Sequence, residues 1–292
     1  MKKALLELIE ERLVLLDGAM GSLLLSAGLS GGEPPERWNV THPGKILEIH
    51  KAYFSAGSDI VLTNTFGGTR AKLSRKNDEN NLEKYNTRAV EIARSVCPQK
   101  AYVAGDIGPT GDFLPPVGNA TVEKFQANFQ EQARILSNAG VDLFFIETMS
   151  DIREAEAAIK AAKGVSNLPL FVSMTYQKTK RGFFTIMGDS VEKCVKRLED
   201  LNVHALGANC TVGSSEMVDL IPLLEQLTDM PIIAKPNAGQ PRLQQGKTVY
   251  TTTPEEFTRD IKKMVEAGAS IVGGCCGTNP GFIEKMAVNL RE

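Results

Sequence analysis

Two of the five cysteines in this 292-residue chain are adjacent, in the segment IVGGCCGTNP at residues 271–280. A disulfide between neighbours is disfavoured, because adjacent Cα atoms lie about 3.8 Å apart whereas disulfide-bonded residues have Cα separations of about 4.4–6.8 Å. A third cysteine, Cys210, lies at the end of the apolar run HALGANCT. If the fold brings Cys210 beside Cys275 and Cys276, the three thiolates match the tetrahedral, sulfur-rich ligand shell that zinc favours.

A zinc ion with three cysteine ligands has one coordination position left for a weaker ligand, a water or a substrate, which is typical of catalytic sites. Three thiolates make the site negatively charged, so it is better suited to holding a substrate thiol in ionised form than to acidifying water. An ordinary thiol has a pKa of about 8.5, whereas a metal-bound thiol is deprotonated. The predicted reaction is therefore attack of a substrate sulfur on a carbon electrophile. The alternative interpretation is that the cysteines are small buried hydrophobic residues.

Two acidic residues that follow apolar runs suggest which thiol the site takes. Asp17 follows LVLL and Glu147 follows DLFFI, and each carboxylate is suited to holding an ammonium group. The glycine-flanked turn at residues 18–21 offers backbone N–H groups for a carboxylate. An ammonium, a carboxylate and a thiol together describe an amino acid such as homocysteine or cysteine. The alternative for Asp17 is a helix N-cap or turn residue.

The elements that must position these residues form a repeat of short apolar runs and amphipathic helical segments. The runs lie at residues 13–21, 59–66, 101–108, 142–149, 168–176, 204–211, 231–238 and 271–277. Buried strands that alternate with helices indicate a parallel sheet covered by helices. Eight such units predict a single-domain (β/α)₈ TIM barrel over residues 1–292, with an N-terminal helix before the first strand. A doubly wound open sheet is the alternative, but the first strand–helix turn lacks the G-x-G-x-x-G fingerprint.

In a barrel of this kind the active site lies at the carboxyl ends of the strands. The polar residues at the predicted ends are Asp17, Asn64, Thr65, Asp106, Glu147, Thr175, Asn209, Cys210, Asn237, Cys275 and Cys276. Asp106 and Thr175 are explained equally well as residues that satisfy backbone groups. Cys97 precedes the third strand and lies at the opposite end, and Cys194 lies in a predicted outer helix. Neither is expected to reach the metal.

Composition excludes several other classes of function. The formal net charge is −2 and the charges are interspersed, so no nucleic-acid partner is expected. The N-terminal segment MKKALLELIEERLVLL contains too many charged residues for a signal peptide, and no membrane span is expected. We therefore predict a cytoplasmic protein with reduced thiols. The three histidines are not expected to bind zinc: His42, His50 and His204.

Seven motifs together resemble the homocysteine S-methyltransferase family, and in particular the N-terminal homocysteine-binding module of cobalamin-dependent methionine synthase. The motifs are LLDGAMG, LTNTFGGTR, GDIGPTG, ET at 147–148, GANC at 207–210, PNAG at 236–239 and GGCCGT at 273–278. The likeness extends from about residue 12 to the end of the chain, and the arrangement of Cys210 with the Gly-Gly-Cys-Cys segment is its most specific part.

The resemblance implies a zinc barrel in which Cys210, Cys275 and Cys276 hold the metal and the sulfur of homocysteine takes the open position. It implies that Asn237 fills that position before substrate arrives. It also implies substrate binding by the strand-end carboxylates, by backbone of the glycine turn and by neighbouring polar residues. The residues assigned to substrate are Asp17, Gly18, Ala19, Asn64, Thr65, Glu147 and Asn209.

Members of this family differ in their methyl donor. NTFGGTR and GDIGPTG are similar to the cobalamin-dependent branch, which implies methylcobalamin on a separate corrinoid protein as the donor. No counterpart of the folate, corrinoid or reactivation domains is present in the 292 residues, so we expect either a separate subunit or an excised module. Long loops after the third, fifth and seventh strands fit either a docking rim or a lid. The alternatives are another donor such as betaine or S-methylmethionine, methyl transfer between a different methylated substrate and a corrinoid protein, and a non-catalytic zinc or thiol-binding barrel.

Overall fold

The computed structural model describes residues 3–244 and 247–291. Eight strands form one parallel sheet. They are β1 (Val14–Leu15), β2 (Ile60–Leu62), β3 (Tyr102–Ile107), β4 (Leu143–Met149), β5 (Leu170–Met174), β6 (Ala205–Gly213), β7 (Ile232–Asn237) and β8 (Ala269–Val272). Each strand pairs with the next, β8 pairs with β1, and a single bridge between Leu16 and Ile60 closes the ring. The predicted (β/α)₈ barrel is confirmed.

Helices surround the barrel. They are α1 (Leu5–Glu11), α2 (Gly21–Ser26), α3 (Trp38–Thr41), α4 (Pro43–Ser55), α5 (Arg70–Ser74), α6 (Leu82–Ser95), α7 (Val122–Ala139), α8 (Ile152–Lys163), α9 (Val191–Asp200), α10 (Ser214–Glu225), α11 (Pro254–Glu266) and α12 (Pro280–Leu290). The sequence predicted one helix between β1 and β2, but this connection also carries α2, α3 and a 3₁₀ turn at Pro35–Arg37. Over the described residues, the helices include none with the length and apolarity to cross a membrane.

Local chemistry explains where the outer helices begin and end. Thr121, Ser190 and Thr253 each accept a hydrogen bond from a backbone N–H three residues later, which satisfies an otherwise unpaired donor in the first helical turn. Gly140 ends α7 with φ +93°, in the left-handed region that glycine adopts without strain.

Two apolar layers position the site. Inward-facing residues of alternate strand positions fill the barrel, among them Phe145 and Phe171, whose rings pack edge to face with centroids 6.1 Å apart. Leu5, Leu8 and Ile9 of α1 join this inner cluster and close the amino end of the barrel. The larger layer lies between strands and helices. The interior of the barrel is therefore filled by side chains, and a cavity opens beyond the carboxyl ends of the strands.

Two of the long loops at the carboxyl end form small antiparallel hairpins. One follows β5 and pairs Gln177–Thr179 with Gly182–Phe184. The other follows β7 and pairs Arg242–Gln244 with Lys247–Val249. Both lie in the long loops for which the sequence analysis gave a docking rim and a lid as alternatives.

Candidate metal and thiol site

Three cysteine sulfurs converge at the carboxyl end of the barrel. Cys210 lies near the end of β6, and Cys275 and Cys276 follow β8. The Sγ atoms of Cys210 and Cys276 are 3.9 Å apart, and all three Sγ atoms lie within 4.8 Å of one another. Sulfurs bound at about 2.3 Å to one tetrahedral ion would lie roughly 3.8 Å apart, so the spacing fits a shared metal. The predicted convergence of these residues is confirmed.

An irregular strand end aims Cys210 at the pair. Cys210 and Thr211 both have left-handed backbone angles, with φ +56° and +57°. The β6–β7 register shifts in the same stretch, between Asn209 and Gly213. A non-glycine residue in this region costs on the order of 1–3 kcal/mol and persists where the surrounding structure enforces it, often at functional sites. The strain therefore coincides with the residue that must turn its thiol inward.

Close backbone packing explains the glycines that precede the cysteine pair. A Cβ on Gly273 would lie 2.8 Å from the backbone oxygen of Asp17, and one on Gly274 would lie 2.3 Å from Thr278 Oγ1. Thr278 Oγ1 accepts the Ala19 N–H at 3.1 Å and donates to the Cys275 carbonyl at 2.7 Å. One threonine thus joins the glycine turn after β1 to the cysteine pair after β8.

The donor set around the thiols fits a cation. The hydrogen bond with the Cys210 thiol, and after it burial, raises the pKa of Cys275 well above its ordinary value, while the Cys276 thiol opposes the rise. Asn237 ends β7 next to the pair, because the Pro236 carbonyl accepts the Cys275 N–H and the Ala238 N–H donates to the Cys276 carbonyl. Its Oδ1 is buried and has no hydrogen-bond partner among the residues that the structure describes. A buried amide oxygen of this kind normally has a partner. Three thiols and one unpartnered oxygen together are a chemically suitable shell for a soft or borderline metal such as zinc.

A cavity of about 710 Å³ opens above the thiols and includes both predicted carboxylates, Asp17 and Glu147. Asp17 Oδ2 accepts the Leu62 N–H at 2.8 Å, while its Oδ1 is buried and has no hydrogen-bond partner within residues 3–244 and 247–291. Burial raises the pKa of Asp17 to about 7, although Lys235 and the Leu62 N–H oppose the rise. The structure therefore places two carboxylates and three sulfurs on one cavity wall.

Lys235 is a residue of this site that the sequence analysis missed. Its Nζ donates to Glu147 Oε2 at 2.8 Å, and both side chains are less than 10% exposed. Burial acts to lower the pKa of Lys235, but the charges of Glu147 and Asp17 outweigh it and raise the pKa above the ordinary lysine value. A lysine in the otherwise apolar run PIIAKPNA was the available signal.

The other residues assigned to substrate fall into two groups. Gly18 and Ala19 line the cavity, where the Tyr53 hydroxyl donates to the Ala19 carbonyl at 2.8 Å. Asn64 also lines the cavity, but its side-chain amide donates to the Pro35 carbonyl and to Asn39 Oδ1.

Thr65 and Asn209 make mainly structural contacts. Thr65 Oγ1 donates to the Asp106 carbonyl at 2.7 Å. Asn209 Oδ1 accepts from the Thr148 N–H and the Ser173 hydroxyl, while its Nδ2 donates to Thr148 Oγ1 and lies 3.9 Å from Cys275 Sγ. Asn209 therefore braces the thiol site and the end of β4.

The remaining cysteines and two of the histidines lie elsewhere in the fold. Cys97 follows α6, and Cys194 is buried in α9. His50 is buried in α4, and His204 Nδ1 accepts the Leu170 N–H ahead of β6.

Tyr250 is a second residue that the sequence did not single out. Burial, followed by the adjacent thiol of Cys276, raises the pKa of its phenol. Its ring lies against Gly277, where an added Cβ would come within 2.2 Å of it. The loop after β7 thus delivers an aromatic hydroxyl to the edge of the thiol site.

Comparison with known proteins identifies a family model, two curated relatives and a solved structure that are similar to this chain. The family model described as homocysteine S-methyltransferase matches residues 14–290. Methionine synthases from Mycobacterium leprae and Mycobacterium tuberculosis are 31% and 30% identical over 99% of this chain, which spans only 25% of the length of each relative. The crystal structure of the homocysteine methyltransferase MmuM from Escherichia coli, in its metallated form, has a TM-score of 0.82 at 26% identity and covers 98% of this chain and 99% of that one.

Proposed function

We propose a reaction for this chain from the premise that it belongs to the homocysteine S-methyltransferase family: transfer of a methyl group to the thiol of homocysteine, giving methionine. The observation that carries the proposal is the convergence of three cysteine sulfurs within 4.8 Å at the floor of a cavity that also holds Asp17 and Glu147. Thiol chemistry and amino-acid recognition then share one site.

We assign zinc to Cys210, Cys275 and Cys276, with Asn237 Oδ1 as the ligand before substrate binds. The unpartnered state of this buried oxygen and the all-sulfur remainder of the set support the assignment. When bound, zinc keeps a ligating thiol ionised near neutral pH. Reduced thiols are needed for this site, which agrees with a reducing compartment such as the cytoplasm.

The protein's own residues bind and orient the amino acid. We assign the substrate ammonium to the carboxylates of Asp17 and Glu147, and the substrate carboxylate to the backbone of the turn at Gly18 and Ala19. The hydrogen bonds from Tyr53 and Thr278 fix the shape of that turn before substrate binds. Asn64, Thr65 and Asn209 support the walls of the same site.

The bond changes of the reaction are simple. The homocysteine sulfur, after losing its proton, forms a bond to the methyl carbon. The bond from that carbon to the donor atom breaks, and its electron pair leaves with the donor. Holding the sulfur and the methyl carbon in line is the chief contribution of the cavity walls.

For the donor we propose methylcobalamin on a corrinoid protein, because NTFGGTR and GDIGPTG resemble the cobalamin-dependent branch and methionine synthases match over almost the whole chain. A small methylated donor is the second candidate. It is favoured by the match to MmuM, a homocysteine methyltransferase that this chain covers over 99% of its length.

The test offers the zinc-loaded protein homocysteine with free methylcobalamin, betaine or S-methylmethionine in turn, and then with a methylated corrinoid protein. Methionine formation is followed by mass spectrometry. We expect product with methylcobalamin and a faster reaction with the corrinoid protein. Product with betaine or S-methylmethionine alone would overturn the cobalamin assignment, and absence of product with every donor would overturn the methyltransferase assignment.

A further inference from the structure

Lys235 is a buried cation to which the reaction proposed above gives no role. It lies in β7 and lines the cavity at the carboxyl end of the barrel. Its side chain is 4% exposed, and its Nζ lies 5.6 Å from the centroid of the Phe145 ring, which belongs to the packed interior. A charged group at this depth is costly unless it is paired. The partner of Lys235 is therefore central to any role it has.

That partner is Glu147, on a strand that does not neighbour β7. The Nζ of Lys235 donates to Glu147 Oε2 at 2.8 Å. Since β5 and β6 lie between β4 and β7 in the sheet, the ion pair spans part of the carboxyl end of the barrel. Asn209 of β6 donates to the same oxygen at 3.4 Å, and its Nδ2 lies 3.9 Å from Cys275 Sγ. The pair thus forms a polar layer between the packed interior and the cavity, and Asn209 joins this layer to the thiols.

Lys235 occupies only one of the two oxygens of Glu147. Within residues 3–244 and 247–291, Lys235 is the one cation paired with this carboxylate, and no group donates a hydrogen bond to Oε1. Glu147 itself lines the cavity. The protein therefore fixes one oxygen and leaves the other without an internal donor. A carboxylate anchored in this way is already oriented when a ligand arrives, which lowers the cost of binding.

We propose that Lys235 is a positioning residue for the methyl transfer: it acts on homocysteine only through Glu147, by fixing the place and the charge of that carboxylate. The inference rests on the proposed function, in which Glu147 contacts the substrate. It adds a residue that touches neither the substrate nor the metal. Because Lys235 has no other route to the substrate, its removal should have no further effect on substrate binding once Glu147 is neutral.

The experiment is a double-mutant cycle on the zinc-loaded protein, with the methyl donor that supports methionine formation by wild type. Wild type is compared with Lys235→Met, Glu147→Gln and the double variant. Lys235→Arg tests rescue by a second cation. Lys160→Met is the control, because Lys160 pairs with Glu156 at 2.6 Å within α8, outside the cavity. The measured quantities are kcat, the KM for homocysteine and the zinc content of each protein.

We expect Lys235→Met to raise the KM for homocysteine about 10- to 100-fold and to change kcat less than about threefold, because it disturbs binding and leaves the thiol chemistry intact. The KM of Lys235→Arg should be lower than that of Lys235→Met. The double variant should have a KM no higher than that of Glu147→Gln. Lys160→Met should match wild type, and zinc content should be unchanged throughout.

The double variant also guards against a folding defect. Lys235→Met leaves a buried carboxylate without its cation, which is strongly destabilising, whereas the double variant replaces both charges by neutral groups of similar size. The comparison of the double variant with Glu147→Gln therefore decides the question even where Lys235→Met does not fold.

Three outcomes contradict the proposal. A KM in the double variant that is clearly higher than in Glu147→Gln shows that Lys235 acts independently of Glu147. An unchanged KM in Lys235→Met shows that the ion pair is structural only. Loss of zinc in Lys235→Met shows that the lysine supports the metal site. In all three cases wild type still forms methionine and the proposed function stands. Absence of methionine from wild type with every donor overturns the proposed function and this inference together.

Discussion

The two ends of the barrel differ in how completely their buried aspartates are hydrogen-bonded. At the amino end, Asp59 accepts from both Nη atoms of Arg12, at 3.0 and 2.7 Å, from the Leu15 N–H at 2.9 Å, and from Arg291, which directly follows α12. At the carboxyl end, Asp17 and Asp106 each have one buried oxygen that no group in the described part of the chain hydrogen-bonds. Both ends bury carboxylates, but the aspartate at the amino end is fully hydrogen-bonded by the chain, whereas at the carboxyl end Lys235 pairs with Glu147 and leaves the two aspartates incompletely hydrogen-bonded among the described residues.

This difference suggests that acids at the amino end of the barrel contribute to folding stability, whereas acids at the carboxyl end serve binding. Asp59 ties together the segment before β1, the start of β2 and the last helix, so its hydrogen bonds hold the fold closed. The carboxylates at the other end make the folded protein less stable than it would be with apolar or neutral residues, and they favour a bound cation. A mutation at the amino end should therefore change unfolding, and one at the carboxyl end should change binding and catalysis.

The largest expected effect is loss of metal and activity in Cys210→Ala. Two thiols cannot form the proposed shell, so we expect zinc content below about one tenth of wild type and methionine formation reduced by at least about 10³-fold. Metal analysis after gel filtration and a single-donor activity assay measure the two quantities. Cys97→Ser is the matched control, because Cys97 lies away from the site, and it should retain full zinc. Stoichiometric zinc in Cys210→Ala would rule out the three-sulfur shell.

The next effect belongs to the amino end. Asp59→Ala removes the acceptor of two arginines and one backbone N–H, and we expect a loss of about 3 kcal/mol in the free energy of unfolding. Urea denaturation with an unchanged m-value measures it. Homocysteine affinity should stay within about twofold of wild type. As a control, Lys45→Ala breaks an exposed pair with Glu48 and should change stability by less than about 0.5 kcal/mol. A comparable loss of homocysteine affinity in Asp59→Ala would contradict the separation of the two ends.

The third effect is a pH dependence of stability at the carboxyl end. Burial raises the pKa of Asp17 to about 7 in the folded protein, from an ordinary value of 3.8. The folded state thus binds the proton more tightly than the unfolded state, and this stabilisation, present at low pH, is lost as pH rises through 7. Between pH 5 and pH 8 wild type should lose about 2.5 kcal/mol that Asp17→Asn does not lose. Urea denaturation of both proteins at each pH measures the difference. Parallel curves would show that Asp17 does not carry a raised pKa.

The smallest effect concerns the link between the two halves of the site. Thr278→Val keeps the shape of the side chain but leaves the Ala19 N–H without its acceptor, so we expect a loss of about 1–2 kcal/mol in stability. The turn at Gly18 and Ala19 should loosen, which would raise the KM for homocysteine a few-fold while zinc content stays unchanged. Thr278→Ser, which restores the hydroxyl, should recover most of the KM. A fall in zinc content in Thr278→Val would show that Thr278 mainly positions the metal-binding cysteines rather than the turn at Gly18 and Ala19.

The sequence predicted the barrel and the convergence of the three cysteines, because both depend on patterns that can be read directly from the order of the residues. Eight apolar runs at regular spacing favoured a closed parallel sheet, in which cysteines at the ends of the sixth and eighth runs lie at the same end of the barrel. The N-terminal helix was also predicted, but its packing across the amino end of the barrel was not. Nothing in the local sequence indicates that Leu5, Leu8 and Ile9 pack against the side chains inside the barrel.

The sequence could not supply the electrostatics of the pocket. Whether Lys235 points into the barrel or outward depends on its register within β7, and its partner Glu147 is 88 residues away. The same limit applies to Asp106, which one dimension could not distinguish from a strand-end acid that satisfies backbone groups. The left-handed angles at Cys210 and Thr211 were also out of reach, because neither residue type favours them.

The closure of the barrel has a consequence for how it responds to its ligand. β1 is two residues long, and one bridge joins it to β2, so side chains complete that junction. Asp17 supplies one of these links through Oδ2, which accepts a hydrogen bond from the Leu62 N–H, and the same residue lines the cavity. Under the proposed function, this one carboxylate both links β1 to β2 and contacts the substrate. Substrate binding would then also strengthen the β1–β2 junction, so that ligand recognition and the closure of the barrel would be coupled through one side chain.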